Sequence, residues 1–224
     1  MNFIPYSALN AISRCFNRKL LAAAMTVATT LSLGSTTLAE TPKPAIAITE
    51  STPSAEVKQS RTGRKEVLRF DVAEDATRFV FDDAPVLENG FPAYGNAFVT
   101  RGYIYPAGTL NGSNGVNPDG SPQFPDLVLG EWVCRGWFIG ADGAAASSGE
   151  FVITTQLYNF GTELGEETLV SDGWELADTG VSVARAITGG TGRFSNAGGE
   201  AKQEFLGFNA TEGVNLTFEL YIEQ

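Results

Sequence analysis

AITGGTGRFSNAGGEAKQEFLGFNATEGVNLTFELYI, residues 186–222, is the stretch that decides the fold. A glycine hinge of Gly189, Gly190 and Gly192 separates two β-patterned runs, and the final run alternates. Val214, Leu216, Phe218, Leu220 and Ile222 face one way; Asn215, Thr217, Glu219, Tyr221 and Glu223 face the other. A period of two is the signature of a strand with one buried face.

Working back towards the N-terminus, similar runs recur at 66–72, 77–81, 96–105, 130–139, 150–160, 167–176, 181–188 and 198–208, separated by Gly, Asn, Asp and Pro clusters. No helical periodicity of useful length intervenes. The connections ADGAAASSG (141–149) and NATEG (209–213) read as hairpins. Many antiparallel neighbours with short connections predict an all-β domain, either a closed barrel or a sandwich; closure has the advantage of leaving no exposed edge. One connection, PAGTLNGSNGVNPDGSPQFPD (106–126), is long and rich in Gly, Asn and Pro. It reads either as a mobile loop at a cavity mouth or as an insertion without a role.

The chain has 224 residues and a net charge of −11. Residues 1–39 carry Arg14, Arg18 and Lys19 without an acid, then an apolar Ala/Thr-rich run, then small residues at Thr37 and Ala39. That order predicts a cleaved signal peptide and export to the periplasm or beyond, with no membrane insertion after cleavage. Residues 40–64, rich in Pro, Ser, Thr and Ala, read as a disordered tether. This leaves 65–224 as one domain. Without its leader the chain carries −14, which argues against nucleic acid and anionic membrane surfaces as partners. The absence of histidine excludes Ser-His-Asp and Cys-His catalysis and His-ligated metals. Cys134 stands without a partner once Cys15 leaves with the leader, so it reads as a buried, unreactive thiol.

GGTG is not a dinucleotide fingerprint: Ser195 takes the place of the third glycine, and a strand follows where a helix is needed. The bland reading is a tight connection with close backbone approach. GVNPDGSPQFPD (115–126) has offsets suggestive of a calcium loop, but Gly115 occupies the first position, so no metal and no cofactor is expected. Asp71 shares a strand face with Val67 and Arg69, opposite Leu68, Phe70 and Val72; it is either solvated or projects into a polar-edged cavity. Trp132, Trp137, Tyr158, Phe160 and Trp174 fall on strands, where they either fill a core or line an apolar pocket.

Residues 186–201, AITGGTGRFSNAGGEA, resemble the allene oxide cyclase and dirigent superfamily in its strand, GG(T/S)G-x-F turn and Gly-led next strand. The run from Arg185 through Gly189, Gly190 and Gly192 to Phe194 is similar to the dirigent pattern, and EFVITTQLYNFG (150–161) is similar to a cyclase strand. The resemblance implies an eight-stranded antiparallel barrel of calycin-like shape. It sets Asp71 at the place of the cyclases' cavity glutamate, Cys134 at their cavity cysteine and Trp174 at a cavity tyrosine. Ala73, Thr100 and Gly102 fall where the family holds polar and aromatic groups around a site water. The implied function is binding or steering of a small hydrophobic ligand without covalent chemistry. Asp71, Arg101, Cys134, Tyr158, Trp174 and Arg185 are the candidate binding residues, with Asp71 also the candidate catalytic group of an alternative cyclase-like isomerase. A filled structural envelope protein is the third reading, and family members suggest a homodimer or homotrimer.

Overall fold

The computed structural model describes residues 65–224; the expected signal peptide and tether lie outside them. The described residues form nine strands: β1 (Lys65–Glu74), β2 (Val80–Phe81), β3 (Ala97–Pro106), β4 (Gly130–Phe138), β5 (Glu150–Phe160), β6 (Thr168–Leu176), β7 (Ser182–Gly190), β8 (Gly198–Phe208) and β9 (Val214–Glu223). Apart from these, only single-turn 3₁₀ segments are present among them. Neighbours run β1-β9-β8-β7-β6-β5-β4-β3, every pair antiparallel, and β1 pairs with β3 to close the ring. The result is an eight-stranded antiparallel barrel, with β2 a two-residue flap on β3. Closure gives each of the eight staves a paired neighbour on both sides.

The expected strand at 77–81 shrinks to Val80–Phe81. Asp75 accepts a hydrogen bond from the Thr77 backbone N–H and starts a 3₁₀ turn at Ala76–Arg78, which uses the residues that would have extended the strand. The remaining strands fall where the alternation puts them, within two or three residues at each end.

Alternation delivers the core. Leu216, Phe218, Leu220 and Ile222 of β9 are all buried inside the barrel with Phe70 and Val72 of β1. Phe70 crosses the bore to Tyr158 and Phe160 at 5.1 and 5.4 Å between ring centroids, and stacks on Phe218 at 5.2 Å. Each barrel end carries an aromatic plug. At the end holding Lys65 and Glu223, the turn after β7 drives Phe194 inward, where it is fully buried against Phe160. At the other end Phe79 stacks on Phe98 at 5.3 Å, and Phe98 meets Phe138, which meets Phe151.

The GGTG turn is structural, for a stated steric reason. A Cβ on Gly190 would lie 2.4 Å from the Thr168 carbonyl oxygen, and one on Gly192, at φ +58°, would lie 2.1 Å from that of Glu166. Only glycine lets the chain pass so close before turning Phe194 into the bore.

The long connection between β3 and β4 does not stand at a mouth. It lies along the outer wall over β1, β3, β8 and β9, fixed by Leu110 N–H to Asp71 (3.0 Å), Asn215 Nδ2 to Asn114 O (2.9 Å), and the Tyr105 and Tyr103 hydroxyls to Gly115 O and Gly120 O. Ala73, Tyr105, Leu110 and Val116 form a second small core beneath it. Among the described residues no helix is long and apolar enough to cross a membrane.

Candidate functional site

Between the two aromatic plugs the largely apolar bore also holds a polar cluster. Glu175 of β6 points inward, and its Oε1 accepts hydrogen bonds from Thr154 Oγ1 (2.5 Å) and Gln156 Nε2 (2.8 Å), while Oε2 accepts from Gln203 Nε2 (3.0 Å). Arg185 of β7, buried, sets Nη1 3.7 Å from the same carboxylate and donates to Ser171 Oγ and to the carbonyls of Thr154 and Trp174. Gln156 is the hub: its Oε1 accepts from Trp132 Nε1 and the Tyr158 hydroxyl, and its Nε2 also donates to Gln203 Oε1 on the far side. Gly173 makes room for this. A Cβ there would come within 3.1 Å of the Arg185 side chain, so a larger residue would press the Arg185 stem away from its place over β6.

A second carboxylate enters from β1. Glu74 follows Phe70 and Val72 on the inward face. It accepts from Thr100 Oγ1 (2.6 Å) and from the Val214 backbone N–H (2.8 Å). Burial pushes its carboxyl up to about 7; those two hydrogen bonds oppose the rise, and the charge of Glu175 adds to it. Burial also pushes the Cys134 thiol well above its ordinary value, with Glu175 adding to the effect and Arg185 opposing it, which makes it a poor nucleophile. The Tyr158 hydroxyl is likewise raised by burial and stays a donor. The bore thus holds two carboxylates and one guanidinium, and no interior polar side-chain atom of this network lacks a partner among the described residues.

Of the residues singled out from the sequence, Cys134, Tyr158 and Arg185 meet in this bore. Asp71, Arg101 and Trp174 do not. The reason is parity: the faces of β1 and β6 that carry Phe70 and Glu175 turn inward, so Asp71 and Trp174, one residue out of step, turn outward. Asp71 is neither solvated nor in a cavity. It is 1 % exposed, sealed against the outer wall by the long connection. Arg101 pairs with Glu131 on the surface, and Trp174 is exposed. Sequence reasoning missed Glu74, Glu175, Gln156 and Gln203. The alternation that marked Leu68, Phe70 and Val72 as one face continues to Glu74, and this was the available signal. In residues 115–126 Asp119 accepts from the Ser121 N–H and hydroxyl, and no three metal-ligating side chains cluster among the described residues.

No protein-family model matches the sequence, and no curated protein does. Among solved structures the chain is similar to a pterocarpan synthase dirigent protein, 17% identical, with a TM-score of 0.51 over 78% of this chain and 97% of that one. A second pterocarpan synthase dirigent protein is also 17% identical, with a TM-score of 0.51 over 71% of this chain and 94% of the other. The likeness is one of fold: the chain has the dirigent-like barrel.

Proposed function

We propose that the barrel binds and orients a small hydrophobic molecule without covalent chemistry, in the manner the resemblance implies. The observation that carries this reading is the buried trio of Glu74, Glu175 and Arg185. A bore needed only for stability is better filled with apolar side chains, because desolvating charged groups costs free energy that an ion pair recovers poorly. Ionisable groups held in an apolar enclosure are instead what fixes a ligand's orientation. The Phe79 end is the entry in this reading, since Phe79 belongs to a connection and not to a stave. The ligand's apolar body replaces Phe79 against Phe98 and Phe138, and its polar end meets Glu74. Export through a signal at residues 1–39, a tether at 40–64, and assembly as a homodimer or homotrimer belong to the same proposal.

A second reading rests on Glu74 alone. A carboxyl near 7 exchanges a proton at neutral pH, as a cyclase-type isomerase requires; Glu74, not the outward Asp71, takes that role. Fluorescence titration with the neutral dye Nile red tests the binding reading. Saturable uptake by the folded protein, strengthened in Phe79→Ala and weakened in Glu74→Leu, supports it. No uptake by either the parent protein or Phe79→Ala returns the barrel to a filled structural role, for which the ring and amide contacts across the bore already speak.

A further inference from the structure

The outer wall carries a feature that the interior site leaves unexplained. Trp137 of β4 is the register partner of Ile153 of β5, which is the partner of Trp174 of β6. All three point outward and are 52 %, 38 % and 46 % exposed. They form one row across three strands, with the two indoles two strand spacings apart, roughly 9–10 Å between their backbones. The next row on the same face is polar: Arg135, Thr155 and Asp172 are successive partners, and Asp172 accepts from the hydroxyls of Thr155 (2.5 Å) and Thr188 (3.0 Å). Arg135 has no ion-pair partner among the described residues, whereas the five other arginines there each pair with a carboxylate. Residues 65–224 hold 23 acidic against eight basic residues, a net charge of −15, so an unpaired arginine is against the odds.

We propose that this face binds a neutral, extended β-1,4-linked glycan. Indole faces pack on the C–H faces of sugar rings, and two sugar units of such a chain span about the distance between the two tryptophans. The adjacent row supplies hydrogen-bonding groups along the same direction: guanidinium donors at Arg135, hydroxyls at Thr155 and Thr188, and free lone pairs on Asp172. The charge of the domain selects among occupants. A polyanionic polymer is repelled over the Debye range, and a neutral polyhydroxyl chain is not.

Calorimetric titration of the full chain with cellohexaose, and with β-1,4-linked hexamannuronate as the anionic counterpart, tests this. Saturable binding of cellohexaose is expected, weakened about tenfold or more by Trp137→Ala and by Trp174→Ala, and less by Trp174→Phe, which keeps a ring. Because both indoles lie on the outer wall, the variants keep the parent's far-UV circular dichroism and a cooperative thermal transition. The proposal is overturned if the parent shows no saturable binding of cellohexaose, if the Trp137→Ala/Trp174→Ala double variant binds it unchanged, or if hexamannuronate binds more tightly. It is equally overturned if the parent elutes as an oligomer that the double variant splits into monomers, which assigns the face to a second copy.

Discussion

Glu74 and Asp71 lie three residues apart on one strand and are both buried, yet their chemistry differs because they occupy opposite faces. Asp71 accepts a backbone N–H on the outer wall; Glu74 faces the bore, where burial outweighs its two hydrogen bonds and lifts its carboxyl from 4.5 to about 7. The sign for stability follows from proton counting. Between about pH 4.5 and 7 the folded protein holds a proton on Glu74 that the unfolded chain has released, so this residue makes stability fall as pH rises through that window. A shift of this size corresponds to about 3 kcal/mol at most, lost by pH 8 relative to pH 4. Glu74→Gln keeps an acceptor for Val214 N–H and a donor for Thr100, so it is expected to abolish that component of the slope. Urea unfolding at a series of pH values checks it, and an unchanged slope in the variant rejects Glu74 as its source.

The elements are legible from sequence wherever one face is apolar throughout. In β9 every second residue from Leu216 to Ile222 is apolar and buried, and the register follows. In β6 and β7 the apolar Leu169 and Ile187 face inward together with Ser171, Gly173, Glu175 and Arg185, so the hydrophobic pattern is broken there and marks parity only weakly. What fixes these strands is fit, with the Arg185 stem lying over Gly173. Gly173→Ala is expected to displace Arg185 from Glu175 and to destabilise the barrel by about 1–3 kcal/mol, as overpacking typically does. Thermal unfolding measures the loss. An unchanged Tm means that the two strands separate without strain and that the glycine has no packing role. The long connection was legible as unusual but not as outer cladding, because its anchors, Asp71 and Asn215, are distant in sequence and polar.

At the scale of the whole molecule, closure through β1 and β3 joins elements near the start of the domain to a sheet completed only by its last strand. The closed barrel then carries its net charge of −15 on a compact surface, and self-repulsion opposes folding. Raising the ionic strength from about 0.01 M to about 1 M shortens the Debye length from about 30 to about 3 Å. Tm is expected to rise by several degrees over that range in sodium chloride; a fall shows that screened ion pairs such as Lys65–Glu223 matter more than the net charge.

Local rules in the sequence determined the strands, the all-β class and the glycine turn, because alternation and steric limits act over a few residues. They placed Cys134, Tyr158 and Arg185 on strands without saying which would meet. Only the closed barrel decided that Glu74 and Glu175 share the bore with Arg185, that Asp71 is sealed outside it, and that Trp137 and Trp174 stand in one exposed row. Those outcomes depend on strand tilt, register and which edge pairs with which, and these are set by the packing of the whole chain.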